Sequence, residues 1–444
     1  MTVLTDDSSL PTRAETACPT LANRYQAFLN GNASGARQWL CEQLARVDGK
    51  PDDLPDNPQQ LPAWSARHAS QVAGEHAEYL EKRHQGAPRR YFANRAHALW
   101  FVQQVAPTKA VDGAWLFSTL RHWQDPRFHG LIRTYLEELG EGDPRCNHVL
   151  IYHRLLSRLG CLEPAALEDD RYLQGALQLA LGLSGDEFLP EVIGYNLGYE
   201  QPPLHLLITT HELAELGIDG HYFQLHVTID NASSGHASKA IHALHQLCPQ
   251  HGAERFYRRV RHGYRLNDLG TDTPSLIGCF DLDGELLAAL ERKRVFGQFM
   301  HADRCRLQQR TVNQWLAEPG ALPDFLQALQ AQGWIKRGQN PADSRWWSLI
   351  EGPSAPMFGV FNAYEKQLWH DWIAGEWHSP LRRVAPGSWQ SATPQKPLHD
   401  TAQVQVEIDA LIARMAGNRH ALPEGLHATR AYLEATGLAQ ERAH

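Results

Sequence analysis

The stretch HVLIYHRLLSRL occupies residues 148–159 and sets the fold class of the chain. Its apolar residues recur at intervals of three and four, which places them on one face of an α-helix. The same period occurs at residues 96–106, 128–139, 172–181 and 239–247. Strand-like alternation is absent between about Pro62 and Gly270, so we predict a mainly α protein built around a helical bundle.

Turn-forming residues divide the chain into parts. Residues 1–60 are predicted to form a helical extension, with a helix over about 21–47, followed by a linker rich in Pro and Asp. Residues 61–275 are predicted to form the bundle. Residues 381–444 contain a Pro-rich link and two polar helices, which we expect to form a peripheral tail.

Residues 276–380 differ from the bundle. Helices are followed by two short β-like pieces, GWIKRG at 333–338 and SRWWSLI at 344–350, joined by a turn. This order predicts a small winged-helix-like α+β domain. The helix preceding the β-like pieces is neutral to acidic, so the sequence does not favour nucleic-acid binding there, and a structural or substrate-capping role is the preferred interpretation.

Composition and charge exclude several classes of protein. The chain of 444 residues has a net charge of -8, so no overall field favours nucleic acid or an anionic membrane surface. Seven cysteines are scattered without a CxxC pair, which argues against a disulfide framework and a thiolate zinc site. Neither a secretory signal nor an apolar run of about 18 residues is visible, so we expect a cytoplasmic protein without membrane segments.

The segment YFQLHVTIDNASSGHASKA at 222–240 carries the first indication of metal chemistry. His226 and Asp230 are four positions apart (i, i+4), so on a helix both side chains project from one face. Their neighbours are largely apolar, which predicts that this face is buried. A buried carboxylate costs several kcal/mol unless a metal ion, an arginine or the histidine itself compensates its charge.

Two further segments place acids or imidazoles where packing would favour leucine. Glu138 ends a predicted helix and His148 begins the next one, across a Gly-rich break. Glu200 stands alone at the end of a helix among apolar and aromatic residues. Helical bundles that hold two metal ions project such side chains into their core, and oxygen and nitrogen ligands without cysteine suit Fe or Mn.

In this order and spacing, the residues resemble the haem-oxygenase-like diiron oxidases and oxygenases. These proteins fold as a haem-oxygenase-type helical bundle and bind non-haem iron. The resemblance covers about residues 90–270. It implies a set of metal ligands made up of Glu138, His148, Glu200, His226 and Asp230.

The sequence departs from the family pattern at the last ligand. Ser233 stands where the family has a second histidine, and the nearest histidine is His236. On a regular helix His236 would lie ~9 Å along the axis from Asp230, so its ligation requires a bulge or a break, which Gly235 favours. Asp112 is a further candidate ligand, although the glycine after it favours a helix N-cap.

The resemblance implies a non-haem diiron enzyme that binds Fe(II), two ions per chain, and uses O2 as co-substrate. Its expected substrate is a small amine or an amino-acid-derived molecule in a biosynthetic pathway. N-oxygenation, oxidative C–C cleavage and desaturation are the outcomes that the resemblance implies, and the residues do not decide among them. The participation of an external electron donor and the oligomeric state also stay open.

Two other functions compete with this hypothesis. The first is a metal-free hydrolase or lyase on the same bundle fold, which would use the acids and histidines for proton transfer. The second is a ligand-sensing regulator that would use the winged-helix-like domain on DNA. Metal content separates the first from the diiron enzyme, and salt-dependent DNA binding would identify the second.

Several motifs resemble metal sites by sequence alone. Glu81–His84 and Glu424–His427 both have the ExxH spacing, but each lies in a polar or turn-rich context. His211 and Glu212 begin the sequence HELAE, which lacks the second histidine of a zinc protease. We expect all three to be surface features.

Overall fold

The computed structural model describes residues 19–162, 167–201, 203–229, 235–377 and 404–438, with the backbone alone at 227–229 and 404–406. Asp230 and Ser233 lie outside the described residues, and so does most of the Pro-rich link predicted after residue 381. Among the helices of the described ranges, none has the length and apolar character needed to cross a membrane.

Two helices precede the bundle. They are α1, Leu21–Leu29, and α2, Ala36–Val47. The single helix predicted over 21–47 is therefore interrupted, because residues 30–35 have the sequence NGNASG, which is composed of turn formers.

The described part of residues 61–275 is helical and contains no strand, as predicted. A 3-10 helix at Ala114–His122 connects α5 with α6. The α-helices of this part are α3 (Leu61–His84), α4 (Arg95–Gln104), α5 (Ala106–Lys109), α6 (His129–Glu138), α7 (His148–Leu159), α8 (Leu173–Leu183), α9 (Leu189–Tyr199), α10 (Leu204–Glu215), α11 (His221–Ile229), α12 (His236–Leu247), α13 (Ala253–Arg265) and α14 (Thr273–Gly278).

The region after residue 276 is also mostly helical. A short antiparallel ladder pairs β1, Arg306–Leu307, with β2, Arg310–Thr311. The helices are α15 (Leu282–Gly297), α16 (Val312–Ala317), α17 (Leu322–Ala331), α18 (Arg345–Ile350), α19 (Ala363–Ala374), α20 (Val404–Arg414) and α21 (Pro423–Thr436).

The winged-helix domain is not confirmed, and the two strands predicted at 333–338 and 344–350 are wrong. The second of these pieces is the helix α18, in which Trp346 and Ile350 share one buried face. Trp346 packs against Trp369 of α19, with ring centroids 4.8 Å apart. Aromatic and β-branched residues have a context-dependent β preference, and tertiary packing selects the helix here.

The C-terminal helices are not peripheral, which corrects the expectation for residues 381–444. Ile408, Ile412 and Tyr432 are buried in the same core as α6, α8 and α9. The Tyr432 hydroxyl donates to the Leu120 carbonyl at 2.7 Å, and the Tyr135 hydroxyl donates to the Met415 carbonyl at 2.8 Å. Helices α20 and α21 therefore form a hairpin that covers one side of the bundle.

Two groups of buried apolar residues make up the core. One joins α1, α2, α6, α8, α9, α12, α13 and the C-terminal hairpin. The other joins α4, α7 and α11 with the helices after residue 276, so the core is continuous across the predicted boundary at 275. Polar side chains from both groups of helices meet where the two groups adjoin.

Candidate metal centre

The turn between α6 and α7 brings Glu138 and His148 together. Glu138 is the last residue of α6, and His148 is the first residue of α7. Gly140 has a φ of +61°, and a Cβ there would lie 2.4 Å from the backbone nitrogen of Asn147, so the reversal requires glycine. The Asn147 side chain caps α7 by accepting from the Leu150 N–H at 3.0 Å.

Asp112 belongs to the same site, and its interpretation as a helix N-cap is wrong. The following 3-10 helix has no side-chain cap, and the Asp112 carboxylate is buried instead. Its oxygens accept from the hydroxyls of Tyr222, at 2.5 Å, and Tyr199, at 3.0 Å. Gly113 permits this position, because a Cβ at residue 113 would lie 2.9 Å from the Cβ of Glu138.

Four buried residues form what we call the Asp112 cluster: Asp112, Glu138, His148 and His226. One potential ligand atom from each lies within 4.8 Å of the others. Nδ1 of His148 is 2.5 Å from Oε2 of Glu138, and Nε2 of His226 is 3.0 Å from Oδ2 of Asp112. Residues from three helices and one connecting segment thus converge on one point.

Three buried residues form what we call the Glu200 cluster: Glu138, Glu200 and His236. Nδ1 of His236 lies 3.0 Å from Oε2 of Glu200 and 3.4 Å from Oε1 of Glu138. Helix α11 ends at Ile229 and α12 begins at His236, with Gly235 in the cap position. The two clusters share Glu138, whose two oxygens face different imidazoles.

Several atoms of the clusters lack hydrogen-bond partners. Glu138 Oε2, His148 Nδ1 and Glu200 Oε1 are buried without a hydrogen bond from the described residues. The first two are close, but they do not have the alignment of a hydrogen bond. Buried polar atoms are rarely left unsatisfied, so lone pairs that face a common point fit a cation between them.

The orientations of the His226 and His236 imidazoles fit the same interpretation. His226 Nδ1 donates to the Tyr222 carbonyl at 2.9 Å, which leaves Nε2 to face Asp112. His236 Nε2 lies 2.8 Å from Oε2 of Glu137, which leaves Nδ1 to face the shared glutamate. A histidine that binds a metal through one nitrogen usually donates its other N–H to a carbonyl or a carboxylate.

Electrostatics favour a cation in the Asp112 cluster. Burial disfavours charge on His148, but Glu138 and Asp112 outweigh this effect and raise the pKa of His148 to about 10. Burial also opposes ionisation of Asp112, yet Lys109 and the two histidines hold the pKa of its carboxyl well below the usual range. The carboxylates of Asp112 and Glu138 therefore stay charged, and the proton on His148 lies where a metal ion would bind.

The donor set fits iron. Both clusters contain carboxylate oxygens and imidazole nitrogens without a thiolate, which suits Fe or Mn and not a structural zinc site. The carboxyl groups of Glu138, Glu200 and Asp112 share one buried space, where divalent cations would offset negative charge. The sequence predictions for Glu138, His148, Glu200, His226 and His236 thus fall together in space, while Asp230 lies outside the described residues.

Two residues that contact the clusters, Glu137 and Tyr222, were not predicted from the sequence. Glu137, next to Glu138, contacts His236 and lies 2.5 Å from the Lys239 ammonium. Burial disfavours its charge, but His236 and Lys239 outweigh burial and lower the pKa of Glu137 to about 2. Tyr222 bonds to Asp112 from the helical turn before His226. Its i, i+4 spacing to His226 is the only sequence feature that points to it.

The HELAE motif has a structural role. Glu212 is fully buried, which corrects its assignment to the surface. Its carboxylate accepts from the Tyr79 hydroxyl at 2.6 Å and from backbone N–H groups of residues 90–92. It therefore anchors the segment before α4 to α10. Among the described residues, Glu212 belongs to no group that could hold a metal.

The fold and the site define a class: helical bundles with a buried carboxylate–imidazole site that is compatible with a metal. Residues 99–268 of the chain match the family model described as "Iron-containing redox enzyme". The match confirms, over this part of the chain, the resemblance inferred from the sequence. The matched residues include both clusters. No curated protein and no solved structure matches the chain.

Proposed function

We propose that this protein is a non-haem diiron oxidase or oxygenase that uses O2 to oxidise a small amine or an amino-acid-derived substrate. The observation that carries the proposal is the sharing of Glu138 between two clusters of potential ligands. Because its Oε2 faces His148 and its Oε1 faces His236, Glu138 would take part in holding both ions.

The residues that would hold the first ion are Asp112, Glu138, His148 and His226. Those that would hold the second are Glu138, Glu200 and His236, with Asp230 as a further proposed ligand. Two ferrous ions, when bound, would supply electrons for the reduction of dioxygen. The chain itself contributes the buried carboxylates, the fixed orientation of the imidazoles, and an apolar surround that excludes water.

The aromatic surround supports an oxidative role. Tyr222 packs against Tyr152 and His226, with ring centroids 4.7 and 4.8 Å away. Aromatic packing of this kind limits the access of water to the site. The proposed partners are a small-molecule substrate and an external electron donor where the oxidation outcome requires additional electrons.

The metal-free alternative is less consistent with the site. A metal-free hydrolase would bury the carboxyl groups of Asp112, Glu138 and Glu200 close together without a metal ion between them, and it would leave several ligand atoms without hydrogen bonds. The regulator hypothesis loses its structural basis, because the predicted wing strands do not form. Neither alternative accounts for the shared glutamate.

The experiment that tests the proposal is anaerobic loading of the full chain with Fe(II), desalting and measurement of iron per chain. We expect about two ions, as in other bundles with paired carboxylate–histidine ligand sets. Mixing the loaded protein with O2 should then change its visible absorbance. Iron content near zero after careful loading would refute the proposal and support the metal-free alternative.

A further inference from the structure

The C-terminal hairpin places a histidine beside the metal centre. His420 lies in a 3-10 turn, Arg419–Ala421, between α20 and α21 and is fully buried. Its Nδ1 is 2.9 Å from the side-chain nitrogen of Asn147. Asn147 precedes His148, so the turn reaches the start of α7. Residue 420 lies well outside the 99–268 region that matches the family model.

The hydrogen bonds of Asn147 fix the tautomer of His420. The Asn147 oxygen accepts from the Leu150 N–H, so the other side-chain atom must be nitrogen. That nitrogen donates one hydrogen to the Leu139 carbonyl at 3.2 Å and directs the other at Nδ1 of His420. Nδ1 of His420 is therefore an acceptor, and its single N–H is on Nε2.

The N–H of His420 has no hydrogen-bond partner among the described residues, although the atom is buried. A buried donor without a partner is costly, which indicates that something outside the chain accepts from it. Burial lowers the pKa of His420 to about 4, and the charges of Glu138, His148 and Asp112 also act on it. The imidazole is therefore neutral near pH 7. Asn147 joins it to Leu139, which follows Glu138, and itself precedes His148, so His420 lies next to the segment that supplies two residues of the Asp112 cluster.

We infer that His420 is a hydrogen-bond donor, through Nε2, to a small anionic ligand bound at the metal centre. The inference rests on the proposed function, because the ligand requires a metal to hold it. It assigns the C-terminal hairpin a direct role at the centre. In this role the hairpin adds a neutral hydrogen-bond donor beside the Asp112 cluster.

The tautomer distinguishes this role from direct ligation. Ligation through Nε2 requires a lone pair on that atom, which would move the hydrogen to Nδ1. Nδ1 faces the amide hydrogens of Asn147, so the two donors would then oppose each other. His420 should consequently leave metal binding unchanged and affect only the binding of an exogenous ligand.

Azide binding to the iron-loaded, air-oxidised full chain tests this role without measuring activity. Azide is a small anion, and its complexes with ferric ions can be titrated by visible absorbance. For His420→Leu we expect unchanged iron content and azide affinity weakened about tenfold or more, the effect of losing a hydrogen bond to a charged group. His427→Leu, an exposed histidine on α21, is the matched control.

A second variant separates the effect of losing the hydrogen-bond donor from the effect of changed packing. In His420→Gln the side-chain oxygen can accept from Asn147 while its nitrogen donates toward the centre, so azide affinity should stay near that of the wild type. If His420→Leu does not fold, as judged by thermal unfolding, His420→Met replaces it in the comparison. A Met or Leu variant that binds azide as tightly as the His427→Leu control overturns the donor role.

Two other results separate this inference from the proposed function. Loss of iron in His420→Leu, but not in the control, would overturn the donor role, because that role predicts unchanged iron content. The iron retained by the wild type would still support the proposed metal centre. A wild-type chain that retains no iron removes both the metal centre and the role of His420. Each result therefore identifies which of the two proposals has failed.

Discussion

The two clusters share one glutamate, but different interactions hold them in place. In the Asp112 cluster, neutral phenols hold the carboxylate through hydrogen bonds from Tyr222 and Tyr199 inside the core. In the Glu200 cluster, the imidazole of His236 is oriented by Glu137, and Lys239 in turn holds Glu137. Glu137 and Lys239 are both partly exposed, so the second arrangement borders solvent while the first does not.

The difference suggests that the two positions bind metal unequally. Hydrogen bonds between buried groups act in a low dielectric and keep ligands in one geometry. Ion pairs near the surface are screened by water and salt and fix side chains less firmly. We expect the Asp112 cluster to bind the tighter ion and the Glu200 cluster the more exchangeable one.

The largest effect should come from the residue that the clusters share. Glu138→Gln keeps the shape of the side chain but removes its charge, so we expect both ions to be lost, with binding weakened by at least about a hundredfold. Iron per chain after anaerobic loading measures this. Glu424→Gln, an exposed acid on α21, is the control. Retention of both ions by Glu138→Gln would show that this glutamate does not bridge the clusters.

Substitutions in one cluster should remove one ion. We expect His226→Ala to empty the Asp112 cluster and Glu200→Ala to empty the Glu200 cluster, with about one iron left per chain in each case. Competition with a chelator then measures the affinity of the remaining ion, which should be higher in Glu200→Ala. Equal affinities would contradict the expected difference in metal affinity between the two clusters. Unchanged iron content in both variants would refute the ligand assignments.

Acid should destabilise the metal-free protein through His420. Its pKa falls from the ordinary 6.5 to about 4 on folding, so between these values the unfolded chain binds a proton that the folded chain does not. The associated stability is present above pH 6.5 and is lost as the pH falls to about 4, a change of about 3 kcal/mol.

Urea unfolding at several pH values, with wild type and His420→Leu compared, isolates this contribution from that of the carboxylates. The wild type should lose more stability than the variant over this window. Parallel losses in the two proteins would show that His420 does not stay neutral in the fold, and this would also weaken the tautomer argument.

The smallest effect should come from Glu137. Glu137→Gln removes the charge that orients His236 without removing a ligand, so we expect about tenfold weaker binding of the more exchangeable ion and no change in the other. Chelator competition resolves the two ions. Glu141→Gln is a matched control, because both glutamates pair with Arg133, whose Nη2 lies 3.3 Å from Oε1 of Glu137 and 2.7 Å from Oε1 of Glu141. Equal behaviour of the two variants would indicate that His236 needs no support from Glu137.

Much of the site could be predicted because four of its candidate ligands, Glu138, His148, Glu200 and His236, lie at or next to helix ends. The Gly-rich break between Glu138 and His148 and the helix end at Glu200 are local features, and short-range periodicity and turn residues specify them. The sequence predicts His236 as a ligand because Gly235, which precedes it, favours a helix break there. The order of these residues also carried the family resemblance, which the match to residues 99–268 confirms.

The contacts of Asp112, Glu137 and His420 could not be predicted from local sequence patterns. The partners of Asp112 are Tyr222, 110 residues away, and His226, 114 residues away, and no local pattern links them. His420 meets Asn147 across 273 residues, through a hairpin whose polar sequence predicted a peripheral tail. Long-range contacts of this kind depend on how whole helices pack, which one sequence does not specify by periodicity.

The sequence by itself determined that the protein is a helical bundle with acids and histidines on inward faces, because helical periodicity and turn chemistry act over a few residues. The tertiary structure alone decided that these side chains form two clusters around Glu138, that the segment at 344–350 is a helix, and that the C-terminal hairpin covers one side of the bundle. The physical reason is that burial and charge compensation are shared among distant segments, and only packing brings those segments together.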